Sequence, residues 1–228
     1  MSSKISVIIP AYNEEESVGE TIKRIQEVNS EYEIIVVDDG SRDKTIEIAK
    51  NSGAKVFKFK KNQGKGAAFR KGIQESSGDI IVQIDADSQF LPEEIPKLIK
   101  PLIEGEADIT FGSRFLPGSS VEKGSLSFRN RIANIVDSFL ASFFSGIKIT
   151  DVQAGFKAFT RDALEKINFQ ENSFAYEPEI AILAGKRKLR VKEVPVSYKV
   201  RKGGMSNIKF LRDIYLIIKT MMKTWLLR

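Results

Sequence analysis

Ile80-Ile81-Val82-Gln83-Ile84 runs straight into Asp85-Ala86-Asp87 and then Ser88-Gln89-Phe90-Leu91-Pro92. A short apolar, β-branched run that closes on carboxylates reads as a buried strand delivering charge to the edge of a sheet. Charge placed there asks for a partner, because a buried ion is costly unless it is paired. The chain has no His and no Cys, which excludes a structural zinc site, a cysteine nucleophile and a Ser-His-Asp triad. A hard divalent cation, Mg2+ or Mn2+, is the natural partner, since it prefers oxygen ligands and shares them with substrate phosphates.

Working outward, the same pattern recurs. Runs 5–10, 33–37 and 55–59 join 79–84 as expected strands, with another near 108–111, and helical periodicities over 15–28, 43–52, 66–75 and 92–104 alternate with them. Alternation at this pitch predicts an α/β fold with a mostly parallel sheet flanked by helices. In such sheets ligands bind beyond the carboxyl ends of the strands. Pro10-Ala11-Tyr12-Asn13-Glu14, Asp38-Asp39-Gly40-Ser41 and Asp85-Ala86-Asp87 all fall there. After Gly112 the alternation stops. The reading there is a long loop over 115–124, an amphipathic helix over 128–144, strands over 154–159 and 191–200 around a helix through 177–184, and a Gly203-Gly204 joint before a last helix over 207–227. Two units are expected, an α/β domain over 1–204 and an amphipathic, interfacial helix over 205–228.

The 228 residues hold one large domain, or a domain with a small appendage, and 42% hydrophobic content is ample for its core. No signal peptide is visible at Met1-Ser2-Ser3-Lys4, and no apolar run reaches the roughly 18 residues of a transmembrane helix. The absence of Cys fits a reducing cytoplasm. The net charge of +6 is unevenly spread: residues 185–228 carry 13 Lys and Arg against 2 Asp and Glu, whereas residues 1–184 carry 23 against 28. A basic tail of this kind suits nucleic acid, an anionic membrane or phosphorylated substrates.

Each motif has a plain and a functional reading. Asp38-Asp39-Gly40-Ser41 is turn and helix-cap chemistry, or it places Asp39 against a nucleotide base or ribose. Asn62-Gln63-Gly64-Lys65-Gly66 lacks the P-loop spacing, but it opens a helix and puts Lys65 or Arg70 near a diphosphate. No Gly-x-Gly-x-x-Gly follows the first strand, which removes the dinucleotide reading. Glu15 and Glu16 are accounted for as first-turn helix charges. Arg114, Arg129, Arg131 and Arg201 sit at loops and helix starts, where forked donors suit phosphate. In the last helix Phe210, Ile214, Ile217, Ile218, Met221 and Trp225 line one face opposite Lys209, Arg212, Lys219 and Lys223, the pattern of an interfacial anchor or of a packed helix.

Taken together, Pro10–Glu14, Asp38–Ser41, Asn62–Gly66, Asp85–Gln89, Gly112-Ser113-Arg114, Asp151–Phe156 and Val200–Gly204 resemble the family 2 inverting glycosyltransferases of the dolichyl-phosphate mannose and glucose synthase type. The resemblance spans nearly the whole chain and implies a GT-A fold with C-terminal amphipathic helices. It implies that Pro10, Tyr12, Glu14 and Asp39 hold the nucleoside, and that Lys65, Asp85 and Ala86 meet the nucleotide sugar. Asp87 and Gln89 would ligate Mg2+ or Mn2+. Arg114, Arg129, Arg131 and Arg201 would gather at the donor diphosphate and the acceptor phosphate, with Asp87, Arg114 and Arg201 catalytic. The implied donor is GDP-mannose, then UDP-glucose, and the implied acceptor is a polyprenyl phosphate at the cytoplasmic face of a membrane. The chain departs from the family pattern at Ser206-Asn207, where Ser-Lys is usual, and it lacks the Gln-x-x-Arg-Trp motif of processive synthases.

Transfer to an alcohol needs a general base, which in a chain without His falls to a carboxylate such as Glu177 or Asp151. A phosphate monoester needs none, because it is already anionic near neutrality. Three alternatives remain: a family 2 enzyme with another acceptor, a sugar-nucleotide pyrophosphorylase, and a basic nucleic-acid binder. The second lacks its Gly-rich signature and the third lacks a recognised module.

Overall fold

The computed structural model describes residues 3–201 and 210–227, the side chains of 210–214 excepted. Strands β1 (Ile5–Ala11), β2 (Glu33–Asp38), β3 (Lys55–Lys58) and β4 (Ile80–Ile84) pair in parallel in the spatial order β3-β2-β1-β4. Their crossovers contain α1 (Val18–Val28), α2 (Thr45–Asn51) and α3 (Lys65–Glu75). β1, β2 and β4 are buried along their whole length, which is why they read as unbroken apolar runs rather than alternating ones. In α1, Val18, Thr21, Ile22 and Ile25 form the buried stripe at the spacing of one helix face.

The second half departs from the simple alternation. After a 3-10 turn at Pro92–Glu94 and α4 (Ile95–Ile103), β5 (Ile109–Ser113) does not pair with β4. β7 (Phe156–Thr160) lies between them, antiparallel to both, and β8 (Val191–Pro195) pairs in parallel with β5 at the edge. Phe156, the first residue of β7, pairs with Ile84 at the carboxyl end of β4, its ring tilted against Phe90 at 5.5 Å, so β7 enters the sheet from that edge. A strand reached without a full crossover runs reversed.

The expected strand over 191–200 breaks at Val196, whose amide donates to the Ser113 carbonyl at 3.0 Å. Beyond it, β9 (Ser197–Tyr198) pairs with β6 (Ser120–Val121) in a second small sheet, so the expected loop over 115–124 carries a strand. A helix absent from the sequence reading, α6 (Arg161–Ile167), starts where the Thr160 hydroxyl accepts from the Ala163 amide at 3.2 Å, an N-cap. It is followed by α7 (Tyr176–Lys186).

α5 (Phe128–Ser145) turns its polar side inward. Asp137, Ser138 and Ala141 are buried, while Phe128, Phe139 and Phe143 are 79%, 70% and 71% exposed. Small residues are needed inside because the helix lies close to its neighbours. A Cβ on Gly185 of α7 would overlap the Ser145 carbonyl, and the Ser138 hydroxyl accepts from the Val152 amide at 3.0 Å. α8 (Phe210–Leu227) buries Ile217, Thr220, Met221 and Thr224, and leaves Ile218, Met222 and Trp225 exposed. Its expected apolar face is therefore split between core and surface. The Gly203-Gly204 joint, Ser206-Asn207, the boundary at 204/205 and the expected helix start at Asn207 lie outside the described residues, as do the side chains of Phe210, Arg212 and Ile214.

α3 packs on β1 so tightly that a Cβ on Gly72 would overlap the Ile8 side chain. Gly72→Ala is expected to destabilise the protein by about 1–3 kcal/mol through overpacking, read as a lower urea midpoint at unchanged slope. A midpoint equal to that of the parent would contradict this packing.

Candidate active site

The loops that leave the carboxyl ends of β1 and β2 are tied to each other. The Asn13 amide donates to Ser41 Oγ at 2.8 Å and the Glu14 amide to Thr45 Oγ1 at 2.8 Å. Asp39 accepts from the Gln63 and Gly64 amides at 2.6 and 2.9 Å, and burial pushes its carboxyl up despite those bonds. It thus fastens the 62–66 loop to β2. Asp38 is fully buried; its Oδ2 accepts from the Gly40 and Ser41 amides, and its Oδ1 has no hydrogen-bond partner among the described residues. Pro10 is buried within β1, and Tyr12 is half-buried just past its end.

Beyond β4 three carboxylates converge. Glu14, Asp85 and Asp87 lie close enough to repel one another. Burial and the Asp85 charge push Asp87 up to about 6 against the pull of Arg201; burial also raises Glu14. Arg201 pairs with Glu14 and stands 3.7 Å from Asp87 Oδ2. Lys65, the first residue of α3, reaches Asp85 at 2.7 Å and Glu177 at 3.3 Å. Despite burial, these two carboxylates hold its ammonium above the usual value. Glu177 is itself 1% exposed, receives Gln83 Nε2 at 3.3 Å, and pairs with the fully buried Lys157. Ala86 is buried, and its carbonyl accepts from Thr21 Oγ1 at 3.3 Å.

The third cluster stands at the end of β5. Arg114 grips Asp151 with Nε at 2.7 Å and Nη2 at 2.8 Å, and its own amide donates to the same carboxylate at 3.0 Å. The guanidinium also lies 4.9 Å from the centre of the Tyr198 ring. Gln89 is held by the same strand, accepting from the Tyr198 hydroxyl at 2.8 Å and donating to the Lys199 carbonyl at 2.9 Å. Arg129 and Arg131 are exposed in the first turn of α5, Arg131 over the Phe115 ring at 5.9 Å.

The structure therefore brings Glu14, Lys65, Asp85, Asp87, Arg114 and Arg201 to one edge of the sheet, with Asp39 and Tyr12 on the β1–β2 side. One expectation is corrected. The opening turn of α3 is not an anion site, because the Gly66 and Ala67 amides donate to the Asn172 carbonyl. Arg70 likewise turns away to the Phe169 and Glu171 carbonyls and to Asn172.

Among the described residues no three acidic side chains form a ready-made metal cage. A hard cation that keeps water and phosphate oxygens as ligands needs only one or two protein carboxylates. The excess negative charge around Asp87 fits such an ion, which Asp87 would hold, whereas the Gln89 side-chain oxygen already accepts from the Tyr198 hydroxyl. Two residues that no motif singled out hold partners at this edge: Lys157, which donates to Glu177, and Glu193 of β8, which accepts from the Thr150 and Asp151 amides. Lys157 carried a legible signal, a lysine inside the apolar run Phe156–Phe159.

A mostly parallel α/β sheet with one reversed strand and a carboxylate cluster at its carboxyl edge is the GT-A class of fold, and comparison with known proteins agrees. Residues 6–168 match the model of glycosyl transferase family 2, and the chain belongs to that family of glycosyltransferases. It is 36% identical over 231 residues to a dolichol-phosphate mannosyltransferase of Pyrococcus furiosus, covering 95% of this chain and 64% of that one, a little under two thirds. It is 34% identical to a UDP-N-acetylglucosamine–dolichyl-phosphate N-acetylglucosaminyltransferase of Methanococcus voltae, covering 84% of each chain. Among solved structures, glucosyl-3-phosphoglycerate synthase from Mycobacterium tuberculosis in complex with Mn2+, uridine-diphosphate-glucose and phosphoglyceric acid superposes with a TM-score of 0.79 at 25% identity, over 98% of this chain and 80% of that one.

The Asp87 carboxyl at about 6 stands above its unfolded value of roughly 3.9. The folded state thus holds that proton more tightly, and the cation-free protein gains stability from this group as pH falls from about 6 toward 4. Asp87→Asn removes the repulsion, so above pH 7 without divalent ions the variant should be more stable by on the order of 1–3 kcal/mol. The gap should close on acidification, and Mn2+ should raise the melting temperature of the parent only. A variant that melts no higher than the parent at pH 7.5 would contradict the charge excess.

Proposed function

We propose that the protein transfers a hexose from a nucleoside-diphosphate sugar to a dolichyl or polyprenyl phosphate, with GDP-mannose the first donor and UDP-glucose the next. The observation that carries this reading is the state of Asp151 and Glu177, the carboxylates named above as a general base; Asp87 and Glu14, whose affinity for protons is raised, are assigned in this reading to the cation and to the nucleoside end. Asp151 is fully buried under a bidentate arginine, and Glu177 is 1% exposed between two lysines and Gln83. Burial notwithstanding, Lys157 and Lys65 hold Glu177 below its ordinary value, which makes it a poor proton acceptor. An acceptor that arrives already ionised requires neither.

In the proposed step an acceptor phosphate oxygen attacks the anomeric carbon. The bond from that carbon to the donor diphosphate breaks on the opposite face, the nucleoside diphosphate leaves with its electron pair, and the configuration inverts. Two anions must approach each other, so cations are required: Arg114, Arg201, Arg129 and Arg131 face the acceptor side and Lys65 the donor side. Asp87 would hold a divalent ion, which when bound would supply charge neutralisation of the departing diphosphate. Pro10, Tyr12, Glu14, Asp39 and Ala86 hold the nucleoside end.

The exposed side of the molecule supports a lipid acceptor. No helix among the described residues is long and apolar enough to cross a membrane. Phe128, Ile132, Val136 and Leu140 of α5 instead form a cavity of about 360 Å3 with Ile218 of α8, and the adjoining Phe139, Phe143 and Trp225 stay open to solvent. A single apolar face of this extent marks an interaction surface. It suits peripheral attachment to a membrane, at the cytoplasmic face where nucleotide sugars are found.

The direct test incubates the protein with Mn2+ or Mg2+, a short polyprenyl phosphate and labelled GDP-mannose, UDP-glucose or UDP-N-acetylglucosamine, with 3-phosphoglycerate as the competing acceptor. Label should enter the organic phase as a β-linked lipid-phosphate sugar. Label found only on 3-phosphoglycerate, or on neither acceptor, would reject the reading. For the surface, Phe139→Glu with Phe143→Glu should cut co-flotation with anionic liposomes at least fivefold while leaving the melting temperature within a few degrees. Undiminished flotation would remove α5 from the membrane contact.

A further inference from the structure

We propose that Lys157 is the positioning residue that sets the donor and acceptor halves of the site against each other, an inference that rests on the transfer reading above. Lys157 is fully buried on β7, the reversed strand between β4 and β5. With no exposed surface, its side chain is closed off from any ligand that arrives from solvent. Its ammonium donates to Glu177, to the Val152 carbonyl at 3.0 Å and to the Ala154 carbonyl at 2.5 Å, which uses all three of its protons.

Those acceptors lead in two directions. Glu177 leads to Lys65 at 3.3 Å and on to Asp85 at 2.7 Å, the donor side. Val152 and Ala154 lie on the segment 151–155. At its start Asp151 holds Arg114 at 2.7 Å, the acceptor side. At its end Gly155 lies so close that a Cβ would overlap the Asp85 carboxyl. The segment and the ion string therefore meet at Asp85, and among the described residues Lys157 is a side chain bonded to both.

Charge alternates along Asp85, Lys65, Glu177 and Lys157, so the string is balanced without help from solvent. An apolar residue at 157 would leave Glu177 one cation short and release two carbonyls at once. A lysine meets both needs because its donors point three ways from a single charge. Displacement of about 1 Å between reacting groups costs on the order of 100-fold in rate. Lys157 thus acts on the chemical step through geometry.

The test uses the full chain and Lys157→Met with Glu177→Gln, which removes the inner pair together and strands no buried ion. Titration calorimetry with Mn2+ plus UDP and with Mn2+ plus GDP comes first. If the parent binds neither, it is the transfer reading that fails, not this inference. The double variant should melt cooperatively and bind the parent's nucleotide within about threefold, while kcat falls on the order of 100-fold with both KM values within threefold. A folded double variant with kcat within threefold of the parent overturns the proposal, and so does a loss confined to KM.

A second variant covers the case in which the first does not fold. The chain has no cysteine, so Lys157→Cys can be alkylated uniquely with 2-bromoethylamine in denaturant and refolded. This restores an ammonium at nearly the lysine length, and with iodoacetamide a neutral control of similar size. Recovery of kcat with the ammonium alone supports the proposal. Equal kcat for the two adducts, or no recovery in a folded ammonium adduct, overturns it.

Discussion

Backbone amides meet Asp38 and Asp39 beyond β2, but the carboxylates gathered around β1, β4 and β5 at the carboxyl edge of this sheet depend on cations, and with no histidine in the chain that task falls to lysine and arginine. Asp85 finds Lys65, Glu177 finds Lys157 and Lys65, Asp151 finds Arg114, and Glu14 finds Arg201. Buried pairs of this sort add little net stability, since desolvation offsets most of the attraction, but breaking one by removing a single partner is severe, about 3–5 kcal/mol. They therefore specify geometry more than they stabilise the fold. Asp87 is the member left incompletely matched, with its nearest described guanidinium 3.7 Å away. The place where the protein's own charge balance fails is the place a divalent ion and a diphosphate would complete.

The same constraint explains the choice of acceptor chemistry in the proposed reaction. A carboxylate that is to act as a base must be free to take a proton, so it must sit near water or substrate with a raised affinity for protons. Asp151 and Glu177 satisfy neither condition, because each is spent on holding a cation in place. On the proposed reading, with Asp87 given to the cation, a site that uses Asp151 and Glu177 as struts suits a nucleophile that needs no activation. Phosphate meets that requirement, and Arg114, which would help to neutralise it, is positioned by Asp151, one of the carboxylates unavailable as a base.

Much of the first half of the fold was legible because its signals are local. Runs 5–10, 33–37 and 79–84 came out as β1, β2 and β4 within a residue or so, since a strand buried on both faces must be continuously apolar. The carboxylates at their ends were legible for the same reason. β7 was not legible as an antiparallel insertion, because its direction depends on where the chain re-enters the sheet, not on residues 156–160. Lys157 and Glu193 were missed because their partners lie 20 residues and about 40 residues away in sequence. The start of α3 misled because the Asn172 carbonyl, roughly a hundred residues on, takes the Gly66 and Ala67 amides, and Arg70 misled because the Phe169 and Glu171 carbonyls and the Asn172 side chain take its guanidinium.

α5 shows how periodicity can find a helix and leave its orientation open. The spacing of Phe128, Ile132, Ile135, Phe139 and Phe143 marks one face, and such a face ordinarily turns to the core. Here the opposite face does, because it must hold the 149–153 segment through Ser138, Ser142 and Asp137. Burial pushes the Asp137 carboxyl up to about 6, although Gln153 donates to it, so the inward face bears an electrostatic cost that a purely structural helix would avoid. That cost has a consequence on the proposed reading. The helix that would rest its phenylalanines on a lipid surface also fastens the segment carrying Asp151, and through it Arg114. Contact with the membrane and placement of the acceptor arginine are then two faces of one rigid element, which fixes how far above the surface the phosphate of a lipid must reach.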